Sequence, residues 1–379
     1  MTPSNFPRSD NRPAFLYWAG RAHERLGHAE IAKARYELVR ADYQNSYYGR
    51  LAMPRAAGID AVAAGAKVGS RAPLRGSGLE AEVAAAPEGA RTAAEPATPS
   101  MPSASTEALI KLLLSLQLYD AAMNELAYVQ RSLGDSPAIQ ATFAWTYNQR
   151  GDLRRGINTM KRAYPQYIAA GGERLPDDVL KVLFPLDYWD LIRQHSAAQG
   201  LDPYLVAALI AQESTFLPLV RSSANAWGLM QVVPSTGRRI ARSLNIKGFS
   251  TGMLTDPETN VRIGTTHFAA LSGKLGGVHL ALASYNAGEN RVAKWVAEKP
   301  DLDRDEFIDA IPFPETQNYV KRILGTVEDY RKLYGDARMV PDAGRPGPST
   351  SISKPKAPLK KTAVRKPPAS KRTAPAKKP

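Results

Sequence analysis

The sequence predicts an all-α protein, and three observations carry that prediction. A helix is signalled by the cap-and-proline pair Asp202-Pro203, followed by Val206, Leu209 and Ile210 at i+3/i+4 spacing. Three stretches read as helix-turn-helix units, each placing a small residue where two helices approach and an aromatic beside it. No run of alternating residues reads as a strand.

Taken in order, the chain opens on a polar stretch, Met1 to Asp10, and is inside a helical pattern by Phe15. The first unit runs from Tyr17 to Tyr36 and breaks at Gly27, with Ser46-Tyr-Tyr-Gly49 closing a segment over 1–53. Residues 54–104 are dominated by Ala, Gly, Pro and Ser, and no aromatic occurs between Tyr48 and Tyr119. A disordered linker is expected there. The second unit, Ala108 to Leu133, turns near Gln117 to Asp120, and the third, Ala144 to Pro165, turns at Gly151. Their period is irregular, so 105–184 reads as a repeat-like α-superhelix with a boundary near Gly171-Gly172. Helices are then predicted over 187–199, 203–214, 235–244, 257–273, 278–285, 290–298 and 316–333, with Asp256-Pro257 supplying another cap and first turn. Helical pattern ends near Gly335-Asp336, and 336–379 reads as a disordered basic tail.

Composition narrows the class. At 379 residues and 44% hydrophobic, the chain is long enough for two or three domains and has no apolar run near a membrane span. It has no cysteine, which excludes disulfides and thiolate metal sites and fits an oxidising compartment. His23, His28, His195, His267 and His279 are scattered without HxxxH or HxH pairing, so they read as structural; neither a metal site nor a cofactor is expected. Net charge is +14, of which the ten Lys/Arg between Ser351 and Pro379 supply +10. The remainder is only mildly basic, so no dedicated nucleic-acid surface is expected. Such a polycationic tail, spaced by prolines, suits adhesion to anionic wall or membrane components, or is solvated without a partner. The N-terminus shows no basic–apolar–small signal segment, and the sequence carries no signal for oligomeric state.

One residue carries a chemical signal. Glu213 follows the apolar run Leu205 to Ala211 and Gln212 on the face of Val206, Leu209 and Ile210. Desolvation there would hold its proton to higher pH, as a general acid near neutrality requires. Read alone, it is a helix-end glutamate reaching solvent. Four motifs then follow in order: Gly228-Leu-Met-Gln231, Asp256-Pro-Glu-Thr-Asn260, Ser284-Tyr285-Asn286-Ala287-Gly288 and Glu315-Thr-Gln-Asn-Tyr319. Over about residues 185–335 the chain resembles the catalytic domain of soluble lytic murein transglycosylases, lysozyme-like enzymes that cut bacterial peptidoglycan.

The resemblance implies a lysozyme-like catalytic domain behind α-superhelical segments, and peptidoglycan glycan strands as substrate. It implies Glu213 as sole acid and base, cleaving the β-1,4 bond after N-acetylmuramic acid and closing a 1,6-anhydro ring. It places Ser222 near the acetamido group, and Met230 and Gln231 in the glycan groove. Gly228 would let the backbone approach the sugar. Tyr285 would lie beside the acid, Asn286 would hold that turn, and Glu315 would support the tyrosine or the sugar. Met230 and Tyr285 also read as plain core, Ser222 as one of two adjacent serines, and Glu315 as a cap of the last helix. The chain departs from the family at Asn225-Ala226-Trp227, where asparagine should still accept a positive φ, and at Glu289. Most glycosidases use two carboxylates, but Asp202 and Asp256 read as caps and 214–255 contain no Asp or Glu. Family members are secreted behind a leader and a long helical domain, so a periplasmic protein and a truncated or mis-started chain are expected. Two rival readings are a muramidase on the same fold and a helical-repeat module that only binds glycan.

Overall fold

The computed structural model describes residues 11–66, 103–165 and 175–335. Their ordered elements are helices, joined by only two isolated bridges, Arg221 with Trp227 and Trp227 with Val232. The first helices are α1 (Arg12–Arg25), α2 (Ala29–Tyr43) and α3 (Tyr47–Ala66). Gly27, at φ 76°, makes the turn between α1 and α2. Gly20 is the close-approach residue: a Cβ there would lie 2.6 Å from the Tyr36 ring, so an alanine would force the helices apart. α3 runs to Ala66, twelve residues past the expected start of the linker, and carries Pro54 inside it. The Ala-rich composition that reads as linker is also that of a good helix former. Of the expected linker, 67–102 lie outside the described residues, as do the Gly171-Gly172 boundary and the whole tail.

The second and third units appear as α4 (Ala104–Ser115) with α5 (Tyr119–Leu133), and α6 (Pro137–Gln149) with α7 (Leu153–Ala163). Gln117, at φ 58°, and Gly151, at φ 81°, make their turns. Ser103, Ser136 and Asp152 cap three of these helices by accepting from the N–H three residues on.

The remaining helices are α8 (Asp177–Leu183), α9 (Trp189–Ala198), α10 (Pro203–Ser214), α11 (Pro234–Ser243), α12 (Pro257–Leu275), α13 (Val278–Ala287), α14 (Glu289–Glu298), α15 (Arg304–Asp309) and α16 (Pro314–Tyr334), with a 3-10 turn at Thr251–Thr255. α10 is the hub. Leu205 to Ile210 are each 5% exposed or less, so the helix is enclosed on all sides instead of along one face. α16 packs along it, and α9, α12 and α13 complete the core with Ile192, Val261, Phe268, Leu282 and Ile323.

The N-terminal helices dock directly on this body. Tyr17 donates to Asp305 at 2.7 Å, Tyr48 to Asp309 at 2.8 Å, and Arg50 pairs with Asp329 at 2.6 Å. The segment read from sequence as separate thus shares one compact unit with the helices that follow.

Candidate active site

Asp202 begins the local construction. Its side chain accepts from the Tyr204 N–H at 2.9 Å and pairs with Arg331 at 2.6 Å, fixing where α10 starts. Twelve residues on, the helix stops because Thr215 and Phe216 both take left-handed φ values, 55° and 57°. Phe216 is 2% exposed, and that buried ring anchors the strained turn. Glu213 is held in the last helical turn just before it. Burial in apolar surroundings pushes its carboxyl up to about 7, and a hydrogen bond from Tyr319 partly opposes that rise. The Tyr319 hydroxyl donates to Oε1 at 2.5 Å.

Tyr319 lies on α16, one turn beyond Glu315, and is itself buried. Its own pKa is raised by burial and by Glu213, so it stays protonated and remains a donor. Tyr285 on α13 sits in the same field and is also raised by burial and Glu213, but its hydroxyl donates to the Met230 carbonyl at 2.7 Å. The tyrosine read from sequence as the acid's neighbour therefore supports the loop, and Tyr319 is the residue that touches the acid. Tyr319 belongs to the last motif, from which the sequence assigns it no role. Its signal was i+4 spacing from the motif's glutamate on one helix.

The loop from Val220 to Val233 is tied down from below. Asn260, fully buried on α12, accepts from the Met230 N–H at 2.8 Å and donates to the carbonyls of Trp227 and Leu254, both at 2.8 Å. Gly228 has φ 76°, and a Cβ there would fall 2.1 Å from the Leu254 carbonyl oxygen and 2.3 Å from the Asn260 amide. Its freedom is used for packing inside the protein, which corrects the expectation that it serves approach by a sugar. Met230 is also corrected: its side chain is fully buried against Gly264, where an added Cβ would meet the sulfur at 2.4 Å, so it does not line a groove. Gln231, at φ 47°, spends its amide on the carbonyls of Gly228 at 2.9 Å and Val220 at 3.2 Å.

Ser222 is partly exposed and accepts from the Ala226 N–H at 3.1 Å. The expected tolerance of asparagine is met, with Asn225 at φ 60° and its side chain accepting from Arg221 and Trp227. Asn286 accepts from Thr316 at 2.6 Å, which joins α13 to the start of α16. Glu315, by contrast, is exposed and takes none of the hydrogen bonds that join Glu213, Tyr319, Tyr285 and Met230. Its neighbour Thr316 provides the motif's structural contact, which corrects the supporting role expected of the glutamate. Asp256 caps α12 through the Thr259 N–H at 2.9 Å, as read from sequence. His195 pairs with Glu258 at 2.8 Å, and His267 is pushed down to about 4, chiefly by burial and then by Arg239.

A half-buried carboxyl whose desolvation holds its proton to neutrality, next to a tyrosine hydroxyl that steadies its anion, is a reversible proton donor. The family model described as the Transglycosylase SLT domain matches residues 190–308, which hold the acid and most of its surroundings. The endo-type membrane-bound lytic murein transglycosylase A of Klebsiella pneumoniae is 31% identical over 160 residues, covering 36% of this chain and 79% of that protein. The chain belongs to the lytic murein transglycosylase family.

The soluble lytic murein transglycosylase of Escherichia coli K12 is 36% identical over 162 residues, covering 42% of this chain. The chain spans 25% of that relative's length. Among solved structures, the 70 kDa soluble lytic transglycosylase of Escherichia coli superposes with a TM-score of 0.56 at 26% identity, over 86% of this chain and 46% of that one. A Pseudomonas aeruginosa lytic transglycosylase, solved as an inactive glutamate-to-glutamine mutant, superposes with a TM-score of 0.58 at 22% identity, over 87% of this chain and 47% of that one, and shows the shared fold. The all-α architecture with a lysozyme-like domain is that of these soluble lytic transglycosylases.

Proposed function

We propose that this chain cleaves the β-1,4 bond between N-acetylmuramic acid and N-acetylglucosamine in murein, with Glu213 as the single general acid and base. The observation that carries this reading is the placement of Glu213 at the end of the enclosed helix α10 with the Tyr319 hydroxyl on its Oε1, where desolvation raises the carboxyl to about 7. The carboxyl gives that proton to the bridging oxygen as the C1–O bond breaks, and the bonding electron pair leaves with the N-acetylglucosamine oxygen. The sugar's own acetamido oxygen supports the positive charge on C1. The Glu213 carboxylate, steadied by Tyr319, then takes the proton of the muramic C6 hydroxyl as that oxygen attacks C1. A 1,6-anhydro ring closes, the carboxyl is restored, and no water is consumed.

The surroundings support this reading through position. Because the Ser222 hydroxyl accepts from a backbone N–H, its own hydrogen is left for the acetamido group. Gly228, Met230 and Gln231 fix the loop that carries the Tyr285 contact, and Asn286 ties α13 to α16. The names of the relatives place murein cleavage in this family, and one solved relative is a complex with bulgecin A. A cell-envelope location follows from murein as substrate. The basic tail would add adhesion to anionic wall or membrane components.

The product tests the proposal. Mass spectrometry of fragments released from purified sacculi should find muramic ends one water lighter than those a muramidase leaves. Fragments at the hydrated mass would replace the lyase reading with hydrolysis.

A further inference from the structure

Asp309, the last residue of α15, is held by four side chains from three other helices. Its carboxylate accepts from Trp18 on α1, from Tyr48 on α3 at 2.8 Å and from Lys321 on α16 at 2.5 Å. Its backbone carbonyl accepts from the Gln317 side-chain amide, also on α16, at 2.7 Å. Lys321 in turn donates to the Tyr48 hydroxyl at 2.9 Å and lies over that ring, 5.0 Å from its centroid. The charge pair is shielded from water, with Lys321 14% exposed and Asp309 20%. Phe307 and Ile308, both buried, root this end of α15 in the core. The proposed proton transfers use none of these groups.

We infer that Asp309 is a positioning residue for the acid: it sets the roll of α16 that brings the Tyr319 hydroxyl onto Glu213. Gln317 and Lys321 stand one turn apart on one side of α16. Tyr319, two residues from each, works on the other side, where it meets α10. Asp309 ties both residues that flank the tyrosine, so the helix cannot turn about its axis without breaking a bond. At about 9 Å from that axis, the hydroxyl would move about 1.5 Å for a roll of about 10°, enough to lose its contact. Further ties of α16 lie toward its ends, such as Thr316 to Asn286 and Arg331 to Asp202. Through Asp309 the N-terminal helices therefore act on the acid at second hand. The catalytic use of the Tyr319 bond rests on the proposed function, but its positioning does not.

The test reads the acid without substrate. In the full chain carrying isotope-labelled glutamate, the Glu213 carboxyl resonance is assigned by its loss in Glu213→Gln and then titrated. The titratable groups in its field among the described residues are Tyr319 from α16 and Tyr285 from α13. Moving the Tyr319 donor away raises the titration, so Asp309→Asn should raise it by at least about half a pH unit, about threefold in acidity. In a Tyr319→Phe background the same substitution should add nothing, because it acts through that hydroxyl. Asp309→Asn leaves Lys321 shielded and unpaired, which costs stability. Gln317→Leu keeps the charge pair and should shift the titration in the same direction. Tyr17→Phe is the control, removing a docking contact to Asp305 that does not touch α16, and should leave the titration in place. An unmoved Glu213 in folded Asp309→Asn or Gln317→Leu, a shift that persists on top of Tyr319→Phe, or an equal shift from Tyr17→Phe would overturn the inference. A shifted acid in a chain that releases no murein fragments would uphold the positioning and sink the glycan reading alone.

Discussion

Replacing Glu213 by glutamine should stabilise the protein at alkaline pH and leave its stability nearly unchanged in acid. In the folded state the carboxyl titrates at about 7 against an ordinary value of 4.5, because burial opposes its ionisation. A folded pKa raised above the unfolded one adds stability that is complete below about pH 4.5, declines between 4.5 and 7, and is gone above 7. Two and a half pH units at 1.36 kcal/mol each give a difference of about 3 kcal/mol between the two ends. Glutamine keeps the shape, can still accept from Tyr319, and carries no charge to desolvate. Urea unfolding of both proteins at pH 4.5 and pH 8.5 cancels every other titrating group. The glutamine variant should gain about 3 kcal/mol relative to wild type across that span, or about 1 M in midpoint for a steep transition. A difference that stays constant with pH to within about 1 kcal/mol would mean that burial does not hold the proton.

Four further outcomes follow from the same geometry. Tyr319→Phe removes the donor that opposes the rise at Glu213, so the alkaline limb of kcat/KM should move up by about one pH unit; an unmoved limb would separate the tyrosine from the acid. Glu315→Gln should leave turnover within about twofold of wild type, because the side chain is exposed and outside the network; a loss of a hundredfold would restore the role read from sequence. Gly228→Ala should cost more than about 2 kcal/mol in chemical unfolding, since the added Cβ meets Leu254 and Asn260 at a positive φ. Asn260→Ala should cost about 2–4 kcal/mol, and its effect should be less than additive with Tyr285→Phe, because both act on Met230.

The features most legible in the sequence are those set by local chemistry. Asp202-Pro203 and Asp256-Pro257 start their helices where the caps demand, and the turns at Gly27 and Gly151 take the positive φ that glycine permits. Glu213 was legible because a carboxylate after seven apolar residues is costly in any packing. Less legible were features decided by partners distant in sequence. Tyr319 touches Glu213 only because α16 lies along α10, a contact 106 residues apart. Glu315 and Thr316 look equally suited to support from the motif alone, and the helix's rotation selects the threonine. α8 and α15 are 7 and 6 residues long, too short for periodicity to announce them. Composition misled at 54–66, where alanine reads as linker but α3 continues, backed by packing of Ala52 and Ala56 on Leu16 and Tyr17.

Glu213 is proposed as the one group that both gives and takes the proton, and turnover of purified sacculi by the Glu213→Gln protein measures that most directly. Anhydro-muramic fragments should appear with wild type and fall by about 10⁴ with the variant, at the upper end for lost acid–base catalysis because both transfers are removed. Retention of more than about a tenth of wild-type turnover by a folded variant would place the catalytic proton elsewhere.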